Sequence, residues 1–466
     1  MAEKSAEHKE KAKFFSSKVG LVMATVGSAV GLGTIWRFPA EAQAGGGSAF
    51  LIIYIACVLI LGIPVMLSEF AIGRAGRSDA VGAFRRLSPG TRWDLLGGLA
   101  ILTSYLISIF YMVVAGWTLV YLFESITGDL YQGFSAGGET TVTAGFSEKM
   151  RQYITTDWYP LVSTIVIIGI NTAILLGGVK KGIERMANIA MPMLFVLLLI
   201  FMVVCMSQPG ASAGISYFLA PDFSKVTPGV FISALGQALF SLSLGMGILV
   251  TYAAYYPPQT NLTKTACTVS ALTLMIAVMM GLIIFPAVTA FGISDHGMAG
   301  TTLVFVTLPE VFYNLPGGQL WSVLFFTLLL LAALTSTVSI AEPSIAFVRD
   351  RFGFSRRRAT LTVLIPMIAL SAICALSFGS LSHVTLGGNN IFESLDSLTN
   401  NIMLPLVAIG GCIYVGWFAP RGLLHNQLTN HGRLSNRLSP LITFLLRFFA
   451  PAAILAIMLS AFSFAF

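Results

Sequence analysis

Gly27-Ser28-Ala29-Val30-Gly31-Leu32-Gly33 and Ser241-Leu242-Ser243-Leu244-Gly245-Met246-Gly247 are the stretches on which the fold turns. Each sits inside an apolar run long enough to cross a bilayer, and each breaks that run with small residues that hold a helix poorly. Taken alone, either stretch reads equally well as a close helix contact, since Gly27 and Gly31 form a small-xxx-small pair. The two breaks stand five helices apart, however, and are flanked by ionisable or hydroxyl residues. Breaks at matching places in two five-helix halves point to an inverted repeat with its binding site at the bilayer midplane.

Working outward, 56% of the 466 residues are hydrophobic and 10% are charged, with a mean hydropathy of +0.84. That balance excludes a soluble enzyme, a coiled coil and a disordered chain, and it makes lipid the main solvent. Apolar runs between charged or Gly/Pro-rich breaks place spans near 19–43, 48–72, 95–123, 159–178, 187–207, 229–256, 265–292, 319–349, 359–379, 391–417 and 439–465. The expected architecture is an all-α polytopic membrane protein of about eleven spans. It has a cytoplasmic tail at 1–18, a first five-helix repeat at 19–207, a second, inverted one at 229–417 and an eleventh span at 439–465. Some runs are long enough to need tilt or to project beyond the bilayer. The polar stretch from Gly128 to Tyr159 has room for small elements of its own. Thr301 to Gly318 is too apolar for an ordinary loop and is expected to form a short helical hairpin over the outer face.

The net charge of +7 is a topology signal. Lys4, Lys9, Lys11, Lys13 and Lys18, then Arg74, Arg77, Arg85, Arg86 and Arg92, then Lys180, Lys181 and Arg185, Lys264, Arg349 to Arg358, and Arg421, Arg433 and Arg437 all fall on one side. The other side holds only Lys149, Arg151 and Lys225. This bias puts the N-terminus in the cytoplasm and the C-terminus outside, as expected for a multi-pass protein of the inner (plasma) membrane, and it removes nucleic acid as a partner. The five cysteines lie in apolar runs without C-x-x-C spacing, and the histidines show no ligand spacing, so neither a disulfide framework nor a metal centre is indicated. No nucleophile–base constellation suggests an enzyme. Ala42-Gln43-Ala44 after a basic stretch imitates a cleavage site, but Arg37 and the glycines at 27, 31 and 33 break what would have to be a uniform apolar core.

Gly-Ser-Ala-Val-Gly-Leu-Gly-Thr-Ile-Trp-Arg-Phe-Pro (27–39), Gly-Gly-Gly-Ser-Ala-Phe (45–50), Glu69 to Arg74, Gln237 to Gly247, Ala332-Ala333-Leu334-Thr335-Ser336 and Asp396 together resemble the neurotransmitter:sodium symporter family, in its bacterial branch of hydrophobic amino acid transporters. The resemblance covers nearly the whole chain. It implies the leucine-transporter-like fold and a sodium-coupled symporter working by alternating access, with a small-molecule amino acid substrate, sodium and the bilayer as partners.

In that family the amides at the first break hold the substrate carboxylate, here Gly31, Leu32 and Gly33 with Ala29. Glycine at 31, where carriers of carboxyl-free amines have an acid, implies that the substrate brings its own carboxylate. Tyr111 matches the tyrosine that binds this carboxylate and, with Phe240, closes the pocket. Ile107, Phe240, Ser241, Ser243, Met246, Ser336 and Ile340 match its wall. That wall is mostly apolar and uncharged, so a neutral, hydrophobic or aromatic amino acid is the expected substrate. Arg37 and Asp396 match an outer-gate ion pair. Tyr255 and Asp350 match inner-gate positions, although the family's amino-terminal Arg and Trp are replaced by Ala12 and Phe15, with Lys11 or Lys13 left to stand in for the arginine.

The second sodium site is implied at Gly27, Val30, Ala332, Thr335 and Ser336, five oxygens without a carboxylate, which suits a monovalent cation. The first departs from the pattern. Ala29 and Ser241 remain, but Thr34 and Thr273 replace amides, so one or two sodium ions are expected. Chloride dependence is not expected, because Ala277 replaces the serine or carboxylate of the chloride region, although Tyr54 and Gln237 are present. Two alternatives stay open. Glu69 and Glu342, carboxylates inside spans, would serve proton coupling, and a non-transporting amino acid sensor would share the pocket.

Overall fold

A computed structural model describes residues 14–31, 33–132, 139–292 and 300–463. Among the described residues nine helices are long and apolar enough to cross a membrane: Ser48–Gly76, Asp94–Thr127, Trp158–Leu176, Val179–Met206, Leu262–Ala290, Gly318–Phe352, Arg356–Phe378, Ile391–Phe418 and Ser439–Ser460. A bent pair, Lys18–Ala29 with Gly33–Ala44, adds a tenth, its halves meeting at 67°. The second interrupted element, Pro228–Ser241 followed by Ile248–Ala254, stands where span six is expected. Helix starts obey local chemistry. Ser17 caps span one on the Gly20 amide at 2.8 Å, Asn261 caps span seven on Lys264 at 2.9 Å, and Asn390 with Glu393 forms a reciprocal capping box at the start of span ten. Span eight, with 35 residues, is about 52 Å long at 1.5 Å per residue, well beyond a hydrocarbon core of about 30 Å, so it tilts or projects.

Packing follows the repeat. Spans three and eight, third in their halves, lie along one another more extensively than any other two unbroken helices. Both parts of span six pack on span two, and both parts of span one pack on span seven. Each broken helix is thus held by the second span of the other half. In span three 78% of the apolar stretch is buried within the protein, against 39% in spans four, five and nine and 22% in span eleven. Spans two, seven and eight are each 67% buried, so with span three and the broken spans they form the interior, while four, five, nine and eleven make the periphery.

Between spans three and four the polar stretch does carry elements of its own, Asp129–Tyr131 and Glu139–Thr155. The expected hairpin at 301–318 is not formed among the described residues. That stretch is one helical rod through Gly300–Thr302, Leu303–Thr307 and Leu308–Tyr313, whose buried face lies against protein. Pro309 directly follows the π-turn Leu303–Thr307, closed by the Leu308 amide on Leu303 O; the wider i→i−5 turn accommodates a residue without an amide, so the rod continues instead of reversing.

Candidate functional site

The first half of span one ends at Ala29, and a helix end releases its last carbonyls. Here each finds a partner. Val26 O accepts the Val30 amide at 2.7 Å. Gly27 O faces Ser336 Oγ at 3.4 Å, Ser28 O accepts Ser243 Oγ at 2.6 Å, and Ala29 O faces Thr34 Oγ1 at 3.5 Å. Beyond the break Gly31 O accepts the Thr34 amide at 3.1 Å, and Gly33 O accepts Gln237 Nε2 at 3.2 Å. The second half resumes as a π-turn, Gly33–Arg37. Leu32 lies outside the described residues.

The second break is made by handedness. Ser243, Gly245 and Gly247 have φ of 53°, 78° and 67°, a region that costs an L-residue about 1–2 kcal/mol and glycine almost nothing. Ser243 is the one residue of the three with a side chain, and its hydroxyl ties the two breaks together. Span two clamps the same segment from behind: Tyr54 and Ser241 share a 2.6 Å hydroxyl bond, and the Gly245 amide donates to Glu69 Oε1 at 2.7 Å.

Between the breaks lies a cavity of about 330 Å³. Ser28, Gly31, Thr34, Tyr111, Ser243 and Ser336 give it polar wall, and Ile107, Phe240, Met246 and Ile340 give it apolar wall. The sequence reading thus converges on one space, with Ala29, Gly33 and Ser241 also lining it. A Cβ added to Gly31 would lie 2.6 Å from both the Tyr111 hydroxyl and Ser336 Oγ, so those two groups are aimed at the Gly31 backbone. A Cβ on Gly33 would lie 2.0 Å from the Phe240 ring, which closes the cavity over that backbone. Two contributors escape the motif reading. Ser28 sits inside the quoted break, and its carbonyl is the acceptor that joins the halves. Ser104 braces span eight by donating to Ile340 O, and its only sequence signal is a hydroxyl two turns before Tyr111 on the same helix.

The oxygens assigned to sodium divide into two groups. Thr335 Oγ1 donates to Ala332 O at 2.9 Å, and Gly27 packs its bare α-carbon against Thr335, where an added Cβ would lie 3.2 Å from the threonine Cβ. The Ser336–Gly27 and Thr34–Ala29 oxygen separations, 3.4 and 3.5 Å, are long for an O–H···O bond of about 2.5–3.0 Å. They match two oxygens that subtend a right angle at a hard cation about 2.4 Å from each. At the first site Ser241 is taken by Tyr54, and the Thr273 hydroxyl donates to Val269 O in its own helix at 3.0 Å.

Above the cavity the guanidinium of Arg37 lies over the Phe240 ring, 5.8 Å from its centroid. The direct Arg37–Asp396 ion pair is not formed: Arg37 Nε reaches Glu41 Oε1 at 3.4 Å, and Asp396 accepts Asn400 Nδ2 at 2.7 Å. Glu41 lies one helical turn beyond Arg37 and is the nearer anion in this conformation. Toward the face carrying the arginine-rich loops, Tyr255 donates to Glu342 Oε1 at 3.0 Å. Arg356 grips both oxygens of Glu342 at 2.7 Å. Asp350 pairs with Arg349 at 2.8 Å and accepts the Asp79 amide at 3.3 Å, so Tyr255 and Asp350 belong to neighbouring clusters without bonding each other directly. Phe15, standing for the family tryptophan, is buried: its amide donates to Tyr255 O at 3.1 Å, and its ring meets Tyr252 edge-on at 5.9 Å. Lys11, Ala12 and Lys13 lie outside the described residues.

The sequence profile of the sodium:neurotransmitter symporter family matches residues 12–152 and 143–465. The chain is 32% identical to the sodium-dependent transporter YhdH of Bacillus subtilis, over 96% of this chain and 97% of that one. It is 35% identical to a sodium-dependent transporter of Haemophilus influenzae, over 86% and 88%. The fold is similar to that of MhsT crystallised with L-phenylalanine, with a TM-score of 0.85 and 39% identity over 96% of this chain and 99% of that one.

Proposed function

Because the chain belongs to the sodium:neurotransmitter symporter family, whose members are sodium-coupled membrane transporters and not enzymes, we propose that it imports a neutral, hydrophobic or aromatic amino acid across the inner membrane by alternating access. The observation that carries this reading is the lining of the cavity. The Tyr111 and Ser336 hydroxyls meet at the Gly31 backbone, and Ile107, Phe240, Met246 and Ile340 supply an uncharged hydrocarbon wall. The half-helix opening at Gly33 turns its positive dipole end toward the same space, the place for a carboxylate. The neighbouring fold MhsT was crystallised with L-phenylalanine, which agrees with an uncharged wall.

In this reading the face with the arginine-rich loops is cytoplasmic. Sodium at Gly27, Val30, Ala332, Thr335 and Ser336 ties span eight to span one. Its departure frees the first half of span one, and Phe15 leaves its place against Tyr255 and Tyr252. Arg37 and Asp396 flank the opposite mouth and pair when the lid tightens. Thr34 with Ala29 keeps part of the first site, but threonine hydroxyls stand there and at Thr273 in place of the family's amides, so a single sodium per cycle is the expected coupling. Ala277 stands in place of the serine or carboxylate of the chloride region, and transport is expected without chloride. Both carboxylates that motivate a proton-driven alternative have structural partners, Glu69 at Gly245 and Glu342 at Arg356.

The test is equilibrium binding of labelled L-leucine, L-phenylalanine and L-tryptophan to the purified protein across a sodium titration, with potassium holding ionic strength constant. Saturable binding that rises with sodium is expected. Binding indifferent to sodium would overturn the reading and favour proton coupling or sensing.

A further inference from the structure

The transport site leaves Arg447 unexplained, a cation inside span eleven that points away from the protein interior. Its surroundings are built rather than incidental. Two π-turns, Tyr414–Phe418 at the end of span ten and Leu445–Phe449 in span eleven, lie against each other. They come close because Gly416 has no side chain: an added Cβ would lie 2.9 Å from Arg447 Cγ and 3.2 Å from its Cα. Arg447 Nε donates to Gly416 O, Trp417 Nε1 donates back to Arg447 O at 3.3 Å, and the guanidinium sits 5.4 Å from the centre of the Trp417 ring. Only Nε is used in these bonds. Arg447 is exposed, and among the described residues no carboxylate pairs with it.

The depth of this group identifies its surroundings. Gly416 and Trp417 occupy the last turn of span ten, next to the segment 419–438, which carries Arg421, Arg433 and Arg437 and no acidic residue. Trp417, Phe418, Phe444 and Phe448 are all more than half exposed, an aromatic fringe of the kind found where hydrocarbon meets headgroups. An arginine with open donors at that level needs an anion, and the fork of a guanidinium fits a phosphate. We propose that Arg447 and Trp417 form a binding site for an anionic phospholipid of the leaflet at the basic face. The terminal amino groups of Arg447 hold the phosphodiester, Phe444 and Phe448 lie along the acyl chains, and the arginines of 419–438 favour a headgroup without a compensating amine.

The experiment is native mass spectrometry of the full-length protein in detergent, titrated separately with phosphatidylglycerol, phosphatidylcholine and inorganic phosphate. The wild-type protein should retain phosphatidylglycerol several-fold better than Arg447→Gln, retain phosphatidylcholine no better than that variant does, and show no Arg447-dependent uptake of inorganic phosphate alone. Trp417→Phe, a milder change that leaves the arginine in place, should weaken phosphatidylglycerol retention in the same direction and keeps the proposal testable should Arg447→Gln fail to fold. Equal retention of phosphatidylglycerol by wild type and the folded variants would overturn the site. Arg447-dependent binding of free phosphate as strong as that of the lipid would overturn its assignment to a lipid.

Discussion

Gly31 has room for a hydrogen and nothing larger, since a Cβ there would meet the Tyr111 hydroxyl and Ser336 Oγ at 2.6 Å. Gly31→Ala should therefore lower amino acid binding at saturating sodium at least tenfold by pushing both hydroxyls aside, while the protein stays folded. Scintillation binding on the purified variant reads this directly, and wild-type affinity would remove Gly31 from the carboxylate end. Ser243 poses a sharper test, because strain and a hydrogen bond compete at one residue. Ser243→Gly relieves about 1–2 kcal/mol of left-handed backbone strain while losing a bond worth about 0.5–1.5 kcal/mol, so it should be nearly neutral. Ser243→Ala keeps the strain and loses the bond, so its melting temperature should fall below that of Ser243→Gly; equal melting temperatures would show that φ 53° carries no strain.

At the scale of elements, the chain start and span nine are fastened to span eight and its neighbours by few groups. The Glu342–Arg356 pair has a fully buried carboxylate and a guanidinium with 19% of its side chain exposed. Removing one partner of a buried pair costs about 3–5 kcal/mol. Glu342→Gln should lie at the lower end, because Arg356 retains the Leu175 carbonyl at 2.8 Å and some access to solvent. A melting temperature unchanged from wild type would show that the pair contributes nothing net. Asp79, which caps the short helix Ala80–Leu87 outside the spans through the Val81 and Gly82 amides, is held above the ordinary carboxylate range chiefly by burial, with the charge of Asp350 adding to it and the amides opposing. The native state therefore binds this proton more tightly than the unfolded chain. The group's contribution is fully present below the unfolded value of about 3.9 and is lost as pH rises through the raised native value. Asp79→Asn keeps a good cap and removes the titration. It should gain thermal stability relative to wild type as pH is raised through that window, and a difference that does not vary with pH would contradict the assignment.

For the whole molecule the decisive quantity is the sodium dependence of substrate binding. A Hill slope near one is expected if Thr34 and Thr273 have disabled the first site, and a slope near two would show that hydroxyls replace the amides there. Ser336→Ala should shift the sodium midpoint upward with little change in folding, and an unshifted midpoint would detach the second site from Ser336. How much of this was legible before the structure varies with the physics involved. The wall of the cavity was named only through the resemblance to the family, whereas the spans and the two breaks were readable because hydrophobic runs and glycine act locally. Lid geometry was not: which anion Arg37 selects depends on distances set by spans one and ten together, and Glu41 won over Asp396 in this conformation. The rod at 300–313 was misread as a hairpin because a proline breaks a regular helix interior, and only the fold shows that the π-turn Leu303–Thr307 lies before Pro309 to absorb it. The sequence by itself determined that the chain lives in lipid and where it is broken, since these follow from which groups must be buried or satisfied. Only the tertiary structure decided which carbonyl meets which hydroxyl, that Ser28 and Ser243 join the two breaks, and that Arg447 opens toward the bilayer, because those pairings link residues far apart in sequence and no local pattern encodes them.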